Sequence, residues 1–288
     1  MQLSRRHFIQ TTALAAAAAG ISSTAWAQTA TKPKIAVQLY SVRDDSGKDF
    51  DATLEKIAKM GFEGVEFAGY FNYNGKPKEL RKRLDDLKLK AVSTHIGTGS
   101  FRGDELKKTI EFAQIIGLQY LVVPGDGDFT NSEKSKALAE TFNVTALALK
   151  SYGMACGYHN HTHEFDKEKE TGKTFYDLFA ERTIKEVVLE QDCGWTAYAK
   201  LNPVDLMKKY PGRFRLQHYK PTVVEADKNT PSKKAYFGQD SVDWVTVLAA
   251  SKTIGGMEWA ILEQEAYPDG KSPMECTEIS FAGMKKIW

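Results

Sequence analysis

The chain has 288 residues, with 39 basic and 37 acidic side chains and a formal net charge of +2. That near-neutral balance, with no long Lys/Arg run, argues against a nucleic-acid partner, whose binding depends on neutralising phosphates, and against a strongly anionic membrane surface; a small neutral ligand fits it better. Cys156, Cys193 and Cys276 stand too far apart for a metal cluster or a disulfide framework and read as small buried residues.

In chain order, the first element is a targeting signal. Ser4, Arg5, Arg6, His7, Phe8 and Ile9 set an arginine pair before a Thr/Ala-rich apolar stretch reaching about Ile21, and Ala25, Trp26 and Ala27 supply the small-x-small pattern of signal peptidase. The stretch is too short and too rich in alanine to span a bilayer well. Residues 1–27 therefore read as a cleaved twin-arginine export signal. This implies an encounter with the twin-arginine translocase, no stable membrane association after cleavage, and a periplasmic location. Cleavage would remove Arg5 and Arg6 and no acidic residue, leaving 37 basic and 37 acidic side chains. Because the route carries folded proteins, it is compatible with a metal loaded before export.

Residues 28–288 read as one domain. Short Val/Ile/Leu-rich runs alternate with longer segments of helical period, the mark of repeated βα units around a parallel sheet. Eight runs predict strands near residues 35–40, 64–67, 91–95, 120–123, 155–159, 187–191, 214–218 and 259–262. Helices are predicted near 50–59, 77–87, 104–116, 132–152 and 242–253, with Gly61, Gly117 and Gly153 placed as left-handed caps and Gly255-Gly256 as a helix exit. The irregular segment 221–239 is a candidate lid. Eight units of this size predict an α/β fold of the (β/α)8 TIM-barrel kind, in preference to an open doubly wound sheet. Pro124-Gly-Asp-Gly127 lacks the Lys-Ser/Thr of a phosphate loop and reads as an ordinary βα turn.

In such a barrel the chemistry sits at the C-terminal ends of the strands. Titratable residues gather there: Glu66, His95, His159, His161, Glu190, Asp192, His218 and Glu263. Of six histidines, His7 lies in the signal and the other five fall at or just past predicted strand ends; His163 reads as a solvated loop residue. Mixed imidazole and carboxylate donors suit a divalent cation such as Mn, Co, Fe or Zn better than Mg or Ca, which favour oxygen alone.

Longer motifs carry a family resemblance. Val37-Gln-Leu-Tyr-Ser-Val-Arg43, Gly157-Tyr-His-Asn-His161 followed by Glu164-Phe165, Asp192-Cys-Gly-Trp195, Gly212-Arg-Phe-Arg-Leu-Gln-His218-Tyr-Lys220, Val242-Asp-Trp244 and Ile261-Leu-Glu263 resemble the xylose-isomerase-like sugar isomerase/epimerase barrels along nearly the whole chain after the signal. The ketose 3-epimerases of that superfamily hold a metal with Glu, Asp, His and Glu from strands five to eight. By position these fall on His159, Asp192, His218 and Glu263, with His159 standing where the relatives have Glu. Glu190, two residues before Asp192 and on the same inward face, is a further candidate ligand. Pro221 and Asp240 depart from the relatives' pattern on the suspected lid.

The resemblance implies proton abstraction next to a carbonyl of a non-phosphorylated sugar or polyol, with Glu263 or Glu164 as base and Lys220 and His161 stabilising or protonating the oxyanion. Trp195, Tyr40, Glu66 and His95 are candidate substrate contacts, Trp195 by stacking on a pyranose face. Elimination from a 3-keto-glycoside, by a lyase or dehydratase, uses the same first step and stands beside isomerisation. A non-catalytic periplasmic sugar-binding protein is the alternative favoured by His159 in place of Glu. A phosphodiester hydrolase of the endonuclease IV kind would require a basic groove and more ligands, neither of which is evident.

Overall fold

The computed structural model describes residues 33–224 and 235–288. The export signal expected over residues 1–27 lies outside the described residues, as do residues 225–234 of the suspected lid. The strands are β1 (Lys34–Gln38), β2 (Gly64–Phe67), β3 (Lys90–His95), β4 (Tyr120–Val123), β5 (Ala155–His159), β6 (Val188–Asp192), β7 (Leu216–Tyr219) and β8 (Trp259–Leu262). All pair in parallel with their sequence neighbours. Pairing of β1 with β8, from Lys34 opposite Trp259 to Val37 opposite Leu262, closes the barrel and rules out an open sheet.

The helices are α1 (Arg43–Lys48), α2 (Phe50–Met60), α3 (Pro77–Leu87), α4 (Gly103–Ile116), α5 (Lys134–Lys150), α6 (Phe175–Arg182), α7 (Cys193–Tyr198), α8 (Pro203–Lys209), α9 (Trp244–Ala250) and α10 (Pro273–Lys285). Side-chain caps set several boundaries. Asp243 accepts from the Thr246 amide, so α9 starts at Trp244 and not at 242, and it passes into a π-turn at Ser251–Gly255. Asn131 accepts from the amides of Glu133 and Lys134 just before α5. The first strand ends two residues short of Tyr40 because the Gln38 side chain accepts from the Tyr40 amide and turns the chain into a 3-10 helix, Leu39–Val42. Gly61 and Gly117 close α2 and α4 with φ of +97° and +81°, as their positions predict.

Strand parity sorts the core into two zones. Ala36, Val92, Tyr120, Val122, Ala155, Val188, Leu216, Trp259 and Ile261 form an apolar plug inside the barrel, while the alternate residues pack outward beneath the helices. The inward series continues upward from the plug as Gln38, Glu66, His159, Glu190, Asp192, His218 and Glu263, so the polar layer rests on an apolar floor. The three cysteines are buried and free. Among the described residues, no helix is long and apolar enough to cross a membrane.

The described flanks of segment 221–239 are anchored. Asp240 accepts from the Thr222 amide at 3.0 Å and from Trp244 Nε1 at 2.9 Å, Ser241 Oγ accepts from the Val224 amide, and Gln264 donates to the Ala235 carbonyl. The departure at Asp240 thus has a local structural use: it ties the chain after β7 to the start of α9.

Candidate metal centre at the barrel mouth

The ends of β2, β3, β5, β6, β7 and β8 bring three imidazoles and four carboxylates together. Two overlapping groups of possible ligands result, His95, His159, Glu190 and His218, and His159, Asp192, His218 and Glu263; within each group one ligand atom per residue lies within 4.8 Å of the others. All of these side chains are buried except His95, which is slightly exposed.

Glu66 sits at the centre of the hydrogen bonding. Its Oε1 accepts from Gln38 Nε2 at 2.7 Å and lies 2.6 Å from His218 Nε2 and 3.2 Å from His95 Nε2, while Oε2 accepts from Ser93 Oγ at 2.5 Å. Both oxygens are engaged inside the protein, so Glu66 is not presented to a substrate; the expected substrate contact is corrected on that ground. His95 likewise spends Nε2 on Glu66 and, at 2.9 Å, on Glu190 Oε2. His159 Nδ1 lies 3.1 Å from the same Glu190 oxygen, with Nε2 turned toward Asp192 Oδ2 at 3.9 Å. His218 Nδ1 lies 3.0 Å from Glu263 Oε2.

Charge and burial act against one another here. Burial pushes Glu66 up, but the imidazoles of His95 and His218 outweigh it and hold the carboxyl well below its usual range. Glu263 is also opposed by burial and is held at about 2, by Lys220 first and then His218. Burial raises Glu190 to about 7, with Glu66 adding repulsion, and raises Asp192 to about 7. His95 is lifted to about 10 against its desolvation by Glu66 and Glu190, whereas burial and the neighbouring His218 keep His159 well below the usual imidazole range.

Two buried carboxylate oxygens, Glu190 Oε1 and Asp192 Oδ2, lack a hydrogen-bond partner. An unpartnered buried carboxylate oxygen is costly, and a cation removes that cost. With a mixed nitrogen and oxygen donor set, this fits a borderline divalent ion.

Above the cluster, Lys220 is buried, with Nζ against Glu265, 3.6 Å from Glu263 Oε2 and 4.4 Å from the centre of the Trp195 ring. Asp192 Oδ1 caps α7 by accepting from the Trp195 amide at 2.7 Å. Gly194 makes the close approach possible: a Cβ there would fall 2.3 Å from the Lys220 carbonyl oxygen. The ring of His161 lies 5.7 Å from Trp195 and 5.0 Å from His159; burial and then Lys220 push it down to about 4, so it is neutral near pH 7.

Two other expected residues are not brought to the cluster. Glu164 is buried under its own loop, accepting from the His161 amide at 2.9 Å and from Tyr158 Oη at 3.3 Å and pairing with His163, which leaves it a loop anchor and not a base. His163 is exposed, as expected, apart from that pairing. Tyr40 is 43% exposed and stacks on Arg43 outside the cluster.

Gln38, Ser93, Asn160 and Glu265 were not singled out by sequence. Asn160 accepts from the Asp192 amide at 3.1 Å and joins β5 to β6. Inward parity flags Gln38 before Tyr40 and Glu265 after Glu263. Nothing comparable flags Ser93, which meets Glu66 because the β2–β3 register shifts between Val65 and Glu66.

Comparison with known proteins gives the following likenesses. A family model described as xylose isomerase-like TIM barrel matches residues 54–286. The chain is 24% identical over 274 residues to an inosose dehydratase of Clostridium botulinum (strain Alaska E43 / Type E3), the match covering 80% of this chain and 88% of that one. A solved sugar phosphate isomerase/epimerase from Parabacteroides distasonis aligns with a TM-score of 0.73 and 26% identity, over 88% of this chain and 98% of that one. The IOLI protein, solved with a bound zinc atom, shares the fold at a TM-score of 0.65 and 14% identity, over 88% and 97% of the two chains.

Proposed function

This chain belongs to the xylose isomerase-like TIM barrel family, and from that premise we propose that it is a divalent-cation-dependent enzyme that removes a proton next to the carbonyl of a non-phosphorylated keto-sugar or keto-polyol. At the coarser level it is an enzyme of the sugar isomerase, epimerase and dehydratase kind, as its relatives are. The observation that carries the finer reading is the unpartnered buried carboxylate oxygen of Asp192 beside the imidazoles of His159 and His218 at the mouth of the barrel.

His159, Asp192, His218 and Glu263 would hold the cation. When bound, it would polarise neighbouring substrate oxygens and stabilise the negative charge left by proton loss. The remaining work falls to the protein. Glu263, whose Oε2 lies 3.6 Å from Lys220 Nζ at the mouth, accepts the carbon-bound proton; Lys220, fixed by Glu265, places positive charge at the developing oxyanion. His161, neutral near pH 7, relays the proton, and the Trp195 face supports the apolar side of a sugar ring.

Loss of a β-hydroxyl or glycosidic oxygen after proton removal gives dehydration or lyase chemistry; return of the proton gives epimerisation or isomerisation. The likeness to inosose dehydratases favours the elimination branch. We further propose export through the twin-arginine route, on Arg5-Arg6 and Ala25-Trp26-Ala27. The N-terminal sequence of protein recovered from periplasm should begin at Gln28.

Elemental analysis of the purified protein tests the metal reading. One equivalent of transition metal should be present and lost in Asp192→Ala and His218→Ala. Proton exchange in D2O, followed by NMR on keto-sugars and inososes, then tests the chemistry: deuterium entering next to the carbonyl supports it. Full metal occupancy without exchange on any such ketone would turn the reading toward a sugar-binding protein.

A further inference from the structure

We infer that Glu66 is a positioning residue that selects which of the two overlapping ligand groups takes the cation, by committing Nε2 of His218 to itself. This rests on the metal reading above and deepens it. His218 can face either group. Its Nε2 lies 3.6 Å from Glu190 Oε2, and its Nδ1 lies 3.0 Å from Glu263 Oε2. One nitrogen of a neutral imidazole carries the proton and the other the lone pair that binds a metal, so the partner of the first decides the use of the second.

Glu66 Oε1 lies 2.6 Å from Nε2, much closer than Glu190. Glu66 is itself immobilised: Gln38 donates to the same oxygen, Ser93 donates to the other, and the side chain is fully buried. A carboxylate accepts and does not donate, so Nε2 keeps its proton against Glu66, and Nδ1, which faces Glu263, is the nitrogen left to give up its proton and turn a lone pair to a cation bound on that side. There it joins His159 Nε2 and the unpartnered Asp192 Oδ2. Glu190 is treated in parallel. Its Oε2 meets His159 Nδ1 at 3.1 Å and His95 at 2.9 Å, which directs His159 Nε2 toward the same Asp192 side. Glu66 and Glu190 therefore form an outer carboxylate layer behind the two histidines, and the cation falls to His159, Asp192, His218 and Glu263. Carboxylates in such positions typically change metal affinity by about 10–100-fold.

The test uses Co(II) titrated into the metal-free protein, with affinity from chelator competition and ligand environment from the visible absorption bands. Circular dichroism and melting would check that each variant is folded. Glu66→Gln should bind one equivalent with affinity lowered about 10–100-fold and unchanged bands. Glu66→Leu, which frees Nε2, should weaken binding further and shift the bands; if it does not fold, the isosteric Glu66→Gln carries the test. Glu190→Gln should keep one equivalent and the wild-type bands, whereas Asp192→Ala should lose the ion. Affinity within twofold of wild type in both Glu66 variants would overturn the inference, as would loss of the ion in Glu190→Gln. A wild-type protein that binds no Co(II) would instead overturn the metal reading itself.

Discussion

The two ends of the barrel treat polar groups in opposite ways. At the N-terminal end, Glu258 accepts from Tyr120 Oη at 2.5 Å and pairs with Arg215 at 2.7 Å, the Arg215 guanidinium lies over the Tyr120 ring, Lys34 lies over Trp259, and Trp259 Nε1 donates to Gln119. The charges there are partly exposed and matched. At the C-terminal end, carboxylates and imidazoles are packed together out of water, and Glu190 Oε1, Asp192 Oδ2 and Trp195 Nε1 have no partner. Each buried acceptor left open costs more than a made hydrogen bond returns, and two on carboxylates in one cluster are a cost that a bound cation would relieve. The floor explains the stability of the barrel, and the mouth explains its use.

The largest effect should come from the floor. Trp259 fills the base of the plug and is 3% exposed; Trp259→Ala should cost about 3–5 kcal/mol in urea unfolding, because the closed barrel can collapse only in part around the hole. Cation stoichiometry of the folded fraction should stay at the wild-type value. A fall in stoichiometry would mean that floor and mouth are not separable.

At the mouth the sign should reverse. Asp192 titrates at about 7 in the folded protein against an ordinary 3.8, so the cation-free folded state holds that proton more tightly than the unfolded chain does. Its contribution favours folding fully below pH 3.8 and is lost as the pH rises to about 7. Asp192→Asn should therefore stabilise cation-free protein by about 1–3 kcal/mol at pH 7.5, the usual cost of an unpaired buried polar group, and by little at pH 4. Melting with a chelator at the two pH values measures it. With the cation present the variant should melt below wild type, since the ion stabilises only the protein that binds it. Equal melting of both proteins at pH 7.5 in chelator would show that Asp192 carries no buried charge.

Much of this contrast was legible in one dimension. β2, β4, β5 and β8 have the bounds that their apolar runs predict, and parity along each strand carries a residue such as His159 or His218 from the plug to the mouth without knowledge of any contact. What parity does not carry is the turn after a strand. Tyr40 leaves the inward series because Gln38 caps a 3-10 turn, and Glu164 folds under its own loop to hold the His161 amide. Nor does it carry register: Ser93 reaches Glu66 only through the shift at Val65/Glu66, so the sealed state of Glu66 was invisible and the residue read as a substrate contact.

The last and smallest test asks whether unmet polar groups belong to the whole mouth or only to the cluster. α10 follows β8 through the mouth-side loop, and its first turn is completed by a capping box: Ser272 Oγ accepts from the Glu275 amide at 3.3 Å while Glu275 accepts from the Ser272 amide at 2.8 Å, with Pro273 at the first helical position. The pattern Ser-Pro-Met-Glu is plain in the sequence, although the helix was not among those singled out because its apolar residues are spread around its circumference. Ser272→Ala should cost about 1 kcal/mol, the usual loss for a cap, and should leave Co(II) affinity unchanged, because the helix is held further along by Ser280 bonded to Gln264 and by Phe281 stacked on Phe62 at 3.9 Å. A cap that is satisfied and dispensable for cation binding would set the β8–α10 loop apart from the ring of His159, Glu190, Asp192 and their neighbours. A cap whose loss loosened the ion would instead make the β8–α10 loop, with Glu263 and Glu265 on it, part of the support of the site.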